Sequence, residues 1–194
     1  MKYYITIFMI FISTIGLTSC KKEDTTKENA TSEVVAFQDY LSNWEKDDNF
    51  AEIMENCDSA EYGYYDIDSD GIKELIIKNT RGVAIFKYED EQIKRINWSP
   101  YSTLLENGMI KYYRPGGAPQ NEKYKYSSFN GSEYVEIENI ERYDKDEDGD
   151  YDSSDWYISA GEEVSFEQWT ELYEKYEGYK EAVLSDTGEI VSQE

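Results

Sequence analysis

The chain has 194 residues, 39% of them hydrophobic and 15% aromatic, enough for one domain with a real core and too apolar for wholesale disorder. Its 42 acidic residues against 19 basic ones give a formal charge of −23, a field that repels phosphate backbones and anionic lipid and argues against nucleic-acid binding. There is no histidine, which excludes the usual zinc sites, Ser-His-Asp and Cys-His arrangements and the ordinary neutral-pH proton shuttle.

Lys2 precedes the apolar run Tyr4-Ile5-Thr6-Ile7-Phe8-Met9-Ile10-Phe11-Ile12, a positive start followed by a stretch too short for a comfortable membrane span. Leu17-Thr18-Ser19-Cys20 resembles the lipobox of bacterial lipoproteins, with small residues directly before the cysteine. The resemblance implies a signal peptide over 1–19, lipidation of Cys20 and attachment to a membrane through that anchor, on the extracytoplasmic side of a bacterial envelope. Acylation by more than one chain gives stable anchoring, each buried CH₂ contributing about 0.8 kcal/mol. Residues 20–32 are charged and carry no large apolar side chain, so they are predicted to form a disordered tether. Within them, Lys22-Glu23-Asp24 is similar to surface-export signals of some Bacteroidetes lipoproteins. With Cys20 lipidated, Cys57 is the one thiol left and no intramolecular disulfide can form. Without a histidine partner, Cys57 reads as a small core residue on a helix face.

Residues 33–194 are predicted to be a single α+β domain, an antiparallel β-meander sheet packed by N-terminal and C-terminal amphipathic helices. Val34, Phe37, Leu41 and Trp44 form one helical stripe. Asn49 is then expected to cap a second helix, with Glu52 at its third position and Phe50, Ile53, Met54 and Cys57 on one face. From Glu61 the pattern changes to short strands: Tyr62–Ile67, Glu74–Lys78, Val83–Tyr88 and Ile93–Trp98. Asn107-Gly108 and Asn130-Gly131 signal hairpins with type I′ turns, whose central residues both need φ > 0. Residues 114–119 are read as a loop, and six to eight strands are expected in all. The closing helix has a marked start, with Ser165 as N-cap, Gln168 at its third position and Val164 stapled to Trp169. Phe166, Trp169, Leu172, Tyr173 and Tyr176 make its apolar face, Gly178 is placed just beyond its end, and Asp186-Thr187-Gly188 is read as a turn.

Two acidic loops stand out. In the loop 66–77, Asp66, Asp68, Asp70 and Glu74 fall at positions 1, 3, 5 and 9, Ile72 offers a backbone carbonyl at position 7, and Gly71 at position 6 permits the sharp turn. In the loop 144–155, Asp144, Asp146, Asp148 and Asp152 take those same carboxylate positions. Gly149 stands at 6, Asp150 at 7 and Asp155 at 12. Carboxylates crowded this closely repel by about 3 kcal/mol per pair at an effective dielectric near 20, so an ordered loop calls for a cation. An oxygen-rich, flexible donor set suits Ca²⁺ better than Mg²⁺, zinc or copper. The first loop lacks the EF-hand acid at position 12, where Ile77 stands, and strands flank it. It resembles the Asp-x-Asp-x-Asp-Gly loops of extracellular repeats such as the FG-GAP type. The string Tyr65–Gly71 followed by Glu74–Ile77 is similar to one in exported bacterial lipoproteins. The second loop resembles an EF-hand loop more fully, although strands flank it too and its setting is expected to be the more exposed and mobile.

Three functions follow as competing expectations. The first is a lipid-anchored extracytoplasmic domain in which Ca²⁺ in one or both loops is mainly structural. The second is a carbohydrate- or peptide-binding surface module using aromatic residues such as Trp98, Tyr112, Tyr113 or Trp156. The third is a hydrolase working through paired carboxylates.

Overall fold

The computed structural model describes residues 32–116 and 121–191. The predicted signal peptide, Cys20, the tether up to Thr31 and residues 117–119 of the expected 114–119 loop lie outside the described residues. The chain is α+β and dominated by antiparallel strands, arranged in two sheets.

Helix α1 spans Ser32–Leu41, so Ser32, assigned to the tether, is already helical. A 3₁₀ turn at Trp44–Lys46 follows, and α2 covers Asp48–Met54. The cap of α2 is Asp47, not Asn49: its carboxylate accepts from the Asn49 N–H at 2.8 Å and its backbone is extended. The run Asp47-Asp48-Asn49 offers three capping side chains, and the helix starts at the first position with non-helical backbone. Cys57 lies beyond α2. It is buried, with Sγ 3.6 Å from Thr80 Oγ1.

The first sheet has the order β11-β1-β2-β3-β4, with β1 at Ser59–Tyr65, β2 at Glu74–Asn79, β3 at Gly82–Glu89, β4 at Gln92–Pro100 and β11 at Ser185–Val191. Residues 74–77 of β2 and 82–86 of β3 are buried without alternation, as a strand covered on both faces requires. One face shares a core with Phe37, Phe50, Ile53 and Met54 of the helices. The other packs Ile76, Val83 and Ile85 against Leu104 and Ile110. The second sheet is a plain meander: β5 (Ser102–Leu104), β6 (Ile110–Pro115), β7 (Asn121–Phe129), β8 (Tyr134–Tyr143), β9 (Trp156–Ser159) and β10 (Glu162–Val164). One of its faces shares an aromatic core with α3 (Phe166–Glu177), built from Tyr124, Tyr126, Tyr157, Trp169 and Tyr176.

The expected single sheet of six to eight strands is therefore corrected to eleven strands in two sheets among the described residues. The break falls at Tyr101, whose φ of +58° turns the chain out of the first sheet directly after Pro100. Both Asn-Gly hairpins are present, joining β5 to β6 and β7 to β8, but their turns are not type I′. Only Gly108 and Gly131 have positive φ, while each asparagine carbonyl accepts backbone N–H bonds two or three residues on, an Asx turn. Paired positive φ occurs instead at Asp90-Glu91 and Ala160-Gly161, each inside a two-residue hairpin loop. Pro115 pairs with Glu122 inside β6, so the expected loop starts later than residue 114. At the C-terminus, residues 186–188 lie within β11 beside a bulge opposite Tyr62 and Tyr64. Gly178 ends α3 in right-handed geometry. The capping box at Ser165 and Gln168 is present.

Candidate metal centre

The first loop joins β1 to β2. Carboxylate oxygens of Asp66, Asp68 and Asp70 lie within 4.8 Å of one another. Backbone N–H groups turn the chain around them: Gly71 donates to Asp66 Oδ2 at 2.9 Å and Ile72 to Asp70 Oδ1 at 2.7 Å. Asp70 N–H meets Asp66 Oδ1 at 3.1 Å. Ser69 and Gly71 take positive φ, 60° and 88°, the alternation that lets three carboxylates share one side of a tight turn.

Glu74 closes this loop from the first position of β2 and is 0% exposed. Its Oε2 accepts from Ile67 N–H at 3.1 Å, but Oε1 is buried with no hydrogen-bond partner among the described residues. Burial raises its carboxyl to about 7, the Ile67 N–H opposes this, and the Asp68 charge adds to it. The Lys87 ammonium stands 3.7 Å from Asp68, the one ion pair to this loop's carboxylates among the described residues. Ile72 has an exposed side chain.

Parts of the second sheet close over the loop. Gly108, at the β5–β6 turn, lies so near that an added Cβ would stand 2.1 Å from the Ile67 carbonyl oxygen. Tyr134 of β8 donates to the Gly108 carbonyl at 2.9 Å. Its hydroxyl is held above its ordinary pKa by burial and then by the charges of Glu74 and Asp68. Lys87 sits over the Phe129 ring at 5.3 Å. Sequence reasoning missed Lys87, Phe129 and Tyr134, because they reach the loop from other strands and no local spacing marks them.

The second loop joins β8 to β9 and repeats the same backbone. Oxygens of Asp144, Asp146 and Asp148 lie within 4.8 Å of one another. Gly149 N–H donates to Asp144 Oδ2 at 2.9 Å and Asp150 N–H to Asp148 Oδ1 at 2.8 Å. Glu147 and Gly149 have φ of 61° and 90°, matching Ser69 and Gly71. Asp144 is 2% exposed, and its Oδ1 is buried with no partner among the described residues.

In the second loop the closing acid is Asp155 at position 12 and not Asp152 at position 9. Asp155 Oδ1 accepts from Lys145 N–H at 2.7 Å, as Glu74 accepts from Ile67 N–H, and both donors stand at loop position 2. Position 12 of the second loop thus does the work of position 9 in the first. Asp155 Oδ2 is also engaged, by Asp152 N–H at 2.9 Å, so this residue braces the loop. Asp152 is turned to Ser154, whose N–H and hydroxyl hold its carboxyl below the ordinary range. Neither Asp150 nor Asp152 joins the triplet. The second loop is also less exposed than expected at its ends, where Asp144 and Asp155 are buried. Tyr157 ties it down by donating to the Asp152 carbonyl at 2.8 Å, and the Arg142 guanidinium lies 3.9 Å from the Tyr151 ring.

At these separations each pair of ionised carboxylates repels by about 3 kcal/mol at an effective dielectric near 20. One lysine offsets part of this at the first loop, and no ion pair does so at the second among the described residues. The donors are carboxylate and carbonyl oxygens throughout, and a hard cation fits such a set. The aromatic candidates do not share one face. Trp98 belongs to the first sheet's core, Tyr113 stacks on Tyr124, adjacent Tyr112 projects to the opposite side of β6, and Trp156 is 49% exposed. No protein-family model, curated protein or solved structure matches the chain.

Proposed function

We propose that the chain is a lipid-anchored extracytoplasmic protein of a bacterial envelope whose two acidic loops bind Ca²⁺, the metal acting mainly on structure. The observation that carries this reading is a pair of buried carboxylate oxygens with no hydrogen-bond partner among the described residues, Asp144 Oδ1 within the second aspartate triplet and Glu74 Oε1 at the end of the loop that holds the first. A buried carboxylate oxygen without a partner is costly, and a cation shared with the triplet removes that cost. Asp66, Asp68, Asp70 and Glu74 would hold the first ion, and Asp144, Asp146 and Asp148 the second. A bound cation supplies the counter-charge that lets the two hairpins stay closed. In this reading the N- and C-terminal helices each seal one sheet, supported by the apolar side chains they share with it. Anchoring rests on the resemblance of Leu17-Thr18-Ser19-Cys20 to a lipobox.

Calorimetric titration of residues 31–194, the compact unit that holds every described element, tests the metal. Two Ca²⁺ sites are expected, with dissociation constants of about 10⁻⁴ to 10⁻³ M as in extracellular modules. Asp68→Asn and Asp146→Asn should each remove one. No heat and no rise in melting temperature at 10 mM calcium, about ten times the weaker constant, would sink the proposal. Anchoring is tested separately, by whether Cys20→Ala moves the full chain from the membrane to the soluble fraction.

A further inference from the structure

The second sheet has one face against α3; its other face packs on the first sheet around Leu104 and Ile110 and is open toward β9 and β10, where Trp156 and Glu163 are exposed. On that open part Tyr143 and Trp156 are direct cross-strand partners, Ile158 lies two residues further along β9, and Glu163 of β10 stands opposite Ile158. With Gly161 these residues line a cavity of about 410 Å³, at the margin of the sheet where β10 is the last strand. The cavity lies directly above the second loop, since Asp144 follows Tyr143 and Asp155 precedes Trp156. None of its lining residues belongs to the metal set.

We infer that this cavity binds the side chain of a lysine presented by a basic segment of a partner protein. Three observations choose that occupant. The lining supplies two aromatic rings and one carboxylate, Glu163, which makes no hydrogen bond or ion pair among the described residues. Aromatic faces attract an ammonium through their quadrupole, and Ile158 can lie along its methylene stem. An ammonium already occupies the neighbourhood: Lys145 Nζ lies 5.1 Å from the centroid of the Trp156 ring. Charge complementarity points the same way, because a chain of formal charge −23 draws in cationic partners and repels anionic ones. A neutral sugar fits the lining less well. The Tyr143 hydroxyl hydrogen is spent on Glu141 at 2.6 Å, which leaves the Trp156 indole N–H as the one side-chain donor of the lining, and sugar hydroxyls would leave the Glu163 charge without a counter-charge.

The test follows the ¹⁵N-indole signals of the full chain, which has four tryptophans. The probes are Ac-Gly-Lys-Gly-NH₂, its norleucine counterpart and cellotetraose, each in EDTA and in calcium at physiological salt. The lysine peptide should shift the Trp156 signal selectively, with an affinity about ten-fold above that of the norleucine peptide, the range of a desolvated cation–π contact with a carboxylate. The preference should be the same with and without calcium, which separates this site from the metal loops. Glu163→Gln should weaken binding about ten-fold. Lys145→Gln should tighten it by removing the internal competitor, while Lys175→Gln on α3 should leave it unchanged. Equal shifts from norleucine, a preference for cellotetraose, or weaker binding in Lys145→Gln would each overturn the inference.

Discussion

Glu74→Gln should stabilise the metal-free protein at neutral pH and at the same time blunt its response to calcium. Burial raises the Glu74 carboxyl from 4.5 to about 7 in the folded chain. At 1.36 kcal/mol for each pH unit between the folded and unfolded values, that difference amounts to about 3 kcal/mol. The native carboxyl keeps its proton to higher pH than the unfolded one, so the folded state binds more protons between pH 4.5 and 7. Stability therefore falls as pH rises through that window. Glutamine has no such transition and can still accept from Ile67 N–H. In EDTA, the variant should match the wild type near pH 4.5 and exceed it by about 3 kcal/mol at pH 8, or about 6–12 °C in melting temperature for a domain of this size. Calcium at a hundred times its dissociation constant adds about 2.7 kcal/mol to a chain that binds it, which brings the wild type level with the variant. Urea unfolding from pH 4.5 to 8, with EDTA and with calcium, measures both arms. If the EDTA stabilities of the two proteins run parallel across that range, Glu74 carries no buried charge of this kind.

Two further substitutions separate ligand from brace and seam from sheet. Asp144→Asn should abolish calcium binding at the second loop, whereas Asp155→Asn should cost about 1–3 kcal/mol of stability, the price of an unmet buried donor, with a smaller loss of affinity; calorimetry and urea unfolding of both variants give the comparison. Gly108→Ala puts a methyl 2.1 Å from the Ile67 carbonyl oxygen at a φ of +77°, which should cost about 2–4 kcal/mol and weaken calcium at the first loop alone.

Local chemistry made the strands around both loops, the start of α3 and the aspartate spacing legible in the sequence. The strand-forming runs that flank the two loops and the Ser165–Gln168 box are short-range signals, and the structure contains these elements. The division into two sheets was not legible, because it turns on one residue, Tyr101, whose positive φ no propensity announces. Nor was the return of β11 to the edge of the first sheet. Its Asp186-Thr187-Gly188 has turn composition, yet the positive φ of Asp186 is absorbed as a bulge, and Gly188 is needed because the Tyr62 ring occupies the space a Cβ would take. At the candidate site the triplets could be read from spacing alone. Which acid closes the second loop could not, because Asp155 at position 12 reaches the backbone donor equivalent to that of Glu74 only once the outgoing strand is in place.

The two loops share a backbone but stand in different mechanical positions. The second is the tip of one hairpin, held by Tyr157 and Arg142 of its own strands, so closing it stiffens β8 and β9. The first lies at a seam. Its Ile67 belongs to the core shared by Ile76 and Ile85 of the first sheet and Leu104 and Ile110 of the second. Gly108 and Tyr134 of the second sheet rest against it, and Lys87 bridges Asp68 to Phe129. Charge repulsion that opened this loop would act on the contact between sheets and not on one turn. A cation there would therefore govern the cooperativity of the whole domain, and the buried oxygen of Glu74, reached from the start of a strand covered on both faces, is the atom through which that coupling would act.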